Sequence, residues 1–150
     1  MLYIIHFIMK PYKIGYTTGT FDLFHIGHLN ILKSAKQFCD ILIVGVTSDE
    51  KVKNQKMKTP IINQDDRIEI VSSIKYVDVA LPHIDNDKFE AYKKYKFDVV
   101  FIGDDYLDYP EYKDLEEKSL EKFGKKIDVI YIPYTKRIST TKITKEILHC

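Results

Sequence analysis

The sequence predicts an α/β fold: a Rossmann-like, doubly wound, five-stranded parallel sheet of order 3-2-1-4-5 with flanking helices. Short runs rich in Val and Ile alternate along the chain with amphipathic stretches, the rhythm that gives right-handed crossovers and a parallel sheet. The runs are mostly apolar on both faces, as strands covered from both sides should be. At 150 residues, 45% hydrophobic and 30% charged, the chain has material for one core and one domain, which excludes a disordered polypeptide.

The first strand is expected at 12–18, followed by a helix at 28–38 whose inner face carries Ile31, Leu32 and Ala35. A second strand at 41–47 precedes a lysine-rich segment read as a loop, then a helix at 65–75 with Arg67, Ile70, Val71 and Ile74 on one face. The third strand, at 77–81, leads to a helix at 87–95. The fourth, at 98–102, is followed by a helix at 110–123, and the fifth, at 127–132, by one at 139–148. The domain is expected to occupy residues 10–150, with 1–9 as an N-terminal extension. That extension is apolar but too short for a bilayer span of about 20 residues. It also lacks the basic start and cleavage site of a signal peptide.

Lys plus Arg number 23 and Asp plus Glu 22, for a formal charge of +1. So balanced a surface argues against bulk attraction to nucleic acid or to an anionic membrane, and any anion recognition must be local. Two cysteines, Cys39 and Cys150, make neither a disulfide framework nor a four-ligand zinc site. A reducing, cytoplasmic setting is the expectation, with no protein-held metal.

In a doubly wound sheet, ligands bind beyond the carboxyl ends of the strands. Three loops qualify: residues 18–28 after the first strand, 103–106 after the fourth and 133–141 after the fifth. The first holds His25 and His28, three residues apart at a helix start, where free N–H groups and the helix dipole favour an anion. Gly19 and Gly27 leave room for close backbone approach and a tight first helical turn. In the third, Ser139, Thr140 and Thr141 open the last helix. One of these hydroxyls is explained by N-capping, but three in a row make a second phosphate cradle. Lys51, Lys53, Lys56 and Lys58 crowd the segment after the second strand. Arg67, in a first helical turn where a cation opposes the dipole, needs an anionic partner: Asp65, Asp66 or a bound phosphate.

The run Gly19-Thr20-Phe21-Asp22-Leu23-Phe24-His25-Ile26-Gly27-His28 resembles the signature of the HxGH nucleotidyltransferases. Ile138-Ser139-Thr140-Thr141-Lys142-Ile143 narrows the resemblance to the glycerol-3-phosphate cytidylyltransferases, over residues 12–147. The resemblance implies transfer of CMP from CTP to an alcohol phosphate, glycerol 3-phosphate first, with Mg²⁺ on the triphosphate and a homodimer as the working form. His25, His28 and Lys56 would be catalytic. Thr20, Phe21, Lys58, Arg67, Lys75, Asp104, Tyr134, Thr135, Arg137, Ile138, Ser139, Thr140 and Thr141 would contact the nucleotide, and Asp22, Lys56 and Lys88 the acceptor. The sequence departs from the family where Tyr134 stands for an arginine and Arg137 for a glycine; a tyrosine supplies no guanidinium fork, and Arg137 or Lys136 is expected to compensate in part. The same phosphate grips would serve an ATP-using enzyme, and a silent nucleotide-binding module is the non-enzymatic alternative.

Overall fold

Five strands, β1 (Tyr12–Gly19), β2 (Cys39–Thr47), β3 (Val79–His83), β4 (Val99–Gly103) and β5 (Asp128–Ile132), form one all-parallel sheet in the order 3-2-1-4-5. The structure is a computed structural model that describes residues 9–85 and 87–149, so the reading of the extension lies outside the described residues except at Met9. The helices are α1 (Ile26–Phe38), α2 (Asp49–Lys56), α3 (Gln64–Ser72), α4 (Lys88–Tyr95), α5 (Pro110–Lys113), α6 (Leu115–Phe123) and α7 (Thr140–Leu148).

Side chains alternate across each strand, and the core divides accordingly. Leu42, Val44 and Val46 of β2 pack with Val99 and Phe101 of β4 under Leu32 and Ala35 of α1. On the other face Ile43, Val100 and Ile102 meet Tyr16, Phe97, Tyr92 and Leu115. Tyr16 stacks on Phe97 at 4.7 Å and 5°. Each face thus buries its own apolar layer, which fixes the strand register, and the parallel pairing puts every strand's carboxyl end at one rim.

Four elements differ from the sequence reading. The lysine segment is helical at its start: Ser48 caps α2, accepting from the Lys51 N–H, with Asp49 and Glu50 in the first turn, where acids oppose the dipole favourably. The helix expected to reach residue 75 stops at Ser72, where the Ser72 and Ser73 hydroxyls both donate to the Glu69 carbonyl and compete with the helical ladder. The helix expected at 110–123 is two, broken at Asp114. The third strand begins at Val79 because a Val77 N–H to Ile74 carbonyl turn (2.9 Å) precedes it.

Candidate active site

The HxGH spacing makes a capping arrangement. His25 is the N-cap of α1, and its Nδ1 accepts from the Gly27 N–H at 3.0 Å. His28 sits three residues on, and its Nδ1 accepts from the His25 N–H at 3.3 Å. An uncharged imidazole that accepts at Nδ1 carries its proton on Nε2, so both rings are held as Nε2–H donors. The rings stack at 3.8 Å and 22°. Burial keeps His25 below the usual histidine range, while burial and the neighbouring His25 push His28 down to about 3. Both are therefore neutral at physiological pH. A Cβ on Gly27 would lie 2.8 Å from the His25 ring, so this glycine makes room for the imidazole; a Cβ on Gly19 would likewise meet a ring, that of Phe21 at 3.0 Å.

A pocket of about 540 Å³ opens at the carboxyl rim of the sheet. It is lined by Thr18, Thr20, Phe21, Asp22 and His28 after β1, by Lys56 and Lys58 after β2, by Asp105 and Tyr106 after β4, and by Tyr134, Thr140 and Thr141 after β5. All three expected loops meet there. His25 stacks on His28 beside this lining. Lys56 is held below the ordinary lysine range by desolvation first and the Lys58 charge second. Asp105 is held above the carboxylate range, chiefly by burial.

Other expected residues do different work. Arg67 is fully buried, and its guanidinium donates to the carbonyls of Ile62 (2.8 Å), Thr20 (2.5 Å) and Thr47 (2.9 Å) and to the Asp49 carboxylate (2.5 Å). Its partner is thus Asp49, neither Asp65 nor Asp66, and it lies behind the pocket lining. Lys75 falls beyond α3, exposed, with its ammonium 5.1 Å from the Tyr76 ring. Asp104 accepts from the Tyr134 N–H (2.9 Å) and shapes the β5 loop, while its neighbour Asp105 lines the pocket.

The hydroxyl cradle divides its labour. Ser139 caps α7, accepting from the Lys142 N–H (3.1 Å), and Thr140 donates to the Asp22 carbonyl (2.8 Å), leaving Thr141 as the exposed hydroxyl of the three in the pocket lining. Thr135 accepts from the Asn30 amide (3.1 Å). Arg137 and Ile138 stand outside the lining; the Arg137 carbonyl accepts from the Lys142 ammonium (3.0 Å) and the Ile138 N–H reaches the Thr135 carbonyl (3.5 Å). Lys88 is buried behind Thr18, donating to its hydroxyl (3.2 Å) and pairing with Glu111 (3.4 Å); burial lowers its pKa.

Sequence reasoning missed Thr144 and Lys145, which line the pocket one turn beyond Thr140 and Thr141. The i, i+4 spacing on α7 was the available signal. It also missed His83, whose Nδ1 lies 3.3 Å from the Tyr16 hydroxyl and whose Nε2 lies 3.0 Å from the Lys51 ammonium. Among the described residues no three His, Cys, Asp or Glu side chains are grouped to hold a metal, and no helix is long and apolar enough to cross a membrane.

The pocket lies between the starts of α1 and α7. The chain is 41% identical over 133 residues to FAD synthase of Pyrococcus abyssi, covering 86% of this chain and 88% of that one. It is 36% identical over 132 residues to glycerol-3-phosphate cytidylyltransferase of Bacillus subtilis, covering 87% and 94%. The crystal structure of the lipopolysaccharide core biosynthesis protein from Thermoplasma volcanium matches with a TM-score of 0.72 and 28% identity over 83% of this chain and 98% of that one. A family model described as Cytidylyltransferase-like matches residues 16–146. The chain belongs to the cytidylyltransferase-like family, within the HxGH nucleotidyltransferases.

Proposed function

We propose that the protein transfers a cytidylyl group from CTP to an alcohol phosphate, glycerol 3-phosphate first, releasing pyrophosphate and a CDP-alcohol. The observation that carries this reading is the single pocket shared by His28, Lys56, Lys58 and Thr141. The acceptor's phosphate oxygen attacks the α-phosphorus, a new P–O–P link forms, the bond to the β-phosphate breaks, and pyrophosphate departs. A phosphomonoester has its second pKa near ~6, so the nucleophile is already ionised and no general base is needed. Catalysis is then positioning and charge stabilisation. The Nε2–H groups of His25 and His28 would donate to the α-phosphate as its charge grows, Lys56 would bring the two anions together, and Thr141 at the start of α7 would take the β- and γ-phosphates.

Mg²⁺ would arrive on the triphosphate, held by phosphates, water and one or two carboxylates, and it would neutralise charge there. Asp105 is the carboxylate of the lining available to it, because Asp22 is occupied by backbone amides. The homodimer of the family is part of this proposal.

The second reading is adenylyl transfer from ATP to a flavin mononucleotide phosphate, favoured by the 41% identity to an FAD synthase. Phosphate grips do not identify a base, so the chemistry is common to both. The Ile138-Ser139-Thr140-Thr141 run favours CTP. Pyrophosphate release with CTP or ATP, each against glycerol 3-phosphate, phosphocholine and flavin mononucleotide, separates them. Fastest release with CTP and glycerol 3-phosphate supports the first reading. Fastest release with ATP and flavin mononucleotide replaces it, and no release from any pair makes the protein a silent binding module.

A further inference from the structure

Asp22 fastens the segment that carries the pocket lysines to the histidine loop. Its carboxylate is buried and accepts three backbone N–H groups: Ile61 on Oδ2 at 2.8 Å, Ile62 on Oδ1 at 2.9 Å and Leu23 on Oδ1 at 3.1 Å. The Ile62 carbonyl is taken by Arg67, whose Nη1 also holds the Thr20 carbonyl. Residues 20–22 and 61–62 are thereby joined twice, by side chains from each side. The third contact runs to the last helix, where the Thr140 hydroxyl donates to the Asp22 carbonyl.

The turn itself is held against local preference. Phe21 (φ 54°) and Leu23 (φ 48°), on either side of Asp22, both lie in the left-handed region that side chains of this size avoid, at roughly 1–2 kcal/mol per residue. Backbone of this kind persists where surrounding contacts over-determine it. Here those contacts come from the lysine segment and from α7. Charge-assisted bonds from amide to carboxylate are the strong class, and a carboxylate accepting three of them has little capacity left for a substrate.

We propose that Asp22 is a positioning residue that sets the lysine loop on the histidine loop, acting through Lys56 and Lys58 with no contact of its own to the acceptor. The proposal rests on the phosphate-transfer reading of the pocket and deepens it. One carboxylate registers the cations that draw two polyanions together against the donors and the helix start that receive the triphosphate. Loosening it leaves the nucleotide grips of α1 and α7 in place but lets the lysines drift, so turnover falls more than nucleotide affinity does.

The test is a double-mutant cycle with proteolysis alongside. Asp22→Ala should lower kcat by about 30-fold or more with KM for the nucleotide changed by less than about threefold. In a Lys56→Ala background the same change should cost at least about fivefold less, because the residue it acts through is already gone. Trypsin should cut the native protein after Lys56 and Lys58 about tenfold faster in Asp22→Ala than in wild type. Asp22→Asn, which keeps one acceptor oxygen, should fall between wild type and Asp22→Ala in both readouts; it replaces Asp22→Ala if that variant loses its cooperative melt. Equal losses in both backgrounds, or an unchanged tryptic rate, overturn the proposal. The proteolysis arm needs no turnover, so it still decides the role of Asp22 if the transfer reading itself fails.

Discussion

The imidazoles of His25 and His28 stack at 3.8 Å, and each accepts a backbone N–H at Nδ1, so one local motif both starts α1 and orients two Nε2–H donors. Capping and catalysis can therefore be separated by substitution. Asn at position 25 is a good N-cap but ends short of Nε2. His25→Asn should retain the wild-type melting temperature within about 2 °C and lower turnover at least about tenfold, the scale for one well-placed donor. His25→Ala should lose the turnover and also about 1 kcal/mol of stability. Thermal melts and initial rates on the same samples check both.

His28 should be worth as much in rate as His25. His28→Ala should lower turnover at least about tenfold while leaving far-UV circular dichroism unchanged. Near-normal turnover in both single variants would refute the donor assignment.

Arg67 contributes to stability. It is fully buried with Asp49 as its charged partner and three carbonyls as acceptors. Removing one member of such a buried pair costs about 3–5 kcal/mol. Arg67→Met should lower the urea midpoint by at least about 1 M on typical slopes of 1–3 kcal/mol/M. Lys75→Ala, by contrast, should change KM for the nucleotide by less than about twofold, because that ammonium lies over Tyr76, away from the pocket.

Acid should destabilise the fold through two desolvated imidazoles. His28 and His83 are both pushed from 6.5 to about 3, His83 by burial first and then by the charges of Lys88 and Lys51, with Asp85 opposing and Lys94 adding to the shift. In the unfolded chain these rings take protons below pH ~6.5 that the folded chain refuses down to pH ~3. Stability must then fall as pH drops through that window. Denaturation midpoints measured from pH 7.5 to 4 should show the decline, and His83→Gln should make it shallower.

Much of this was legible in the sequence because it rests on period and spacing. Val- and Ile-rich runs between amphipathic stretches marked the strands of a parallel sheet. Gly19 through His28 and Ile138 through Ile143 marked the two helix starts that meet at the pocket. What stayed hidden depended on partners distant in sequence. Arg67 could be read as needing an anion, but that the anion is Asp49, 18 residues away, required the fold. Asp22 looked like a ligand because nothing local says that Ile61 and Ile62 donate to it across 39 and 40 residues. Asp104 and Asp105 differ by one position, and only the turn that follows β4 decides which faces the pocket. The start of α2 was readable from Ser48, Asp49 and Glu50 and was outweighed by its lysines.

The central claim is that one triphosphate lies across both helix starts. A crystal structure with a non-hydrolysable CTP analogue tests it most directly. The account predicts the α-phosphate within hydrogen-bond distance of Nε2 of His25 and His28 and the terminal phosphates at the Thr141 end of α7. Phosphates bound away from either imidazole, or a nucleotide held elsewhere on the sheet rim, would contradict it.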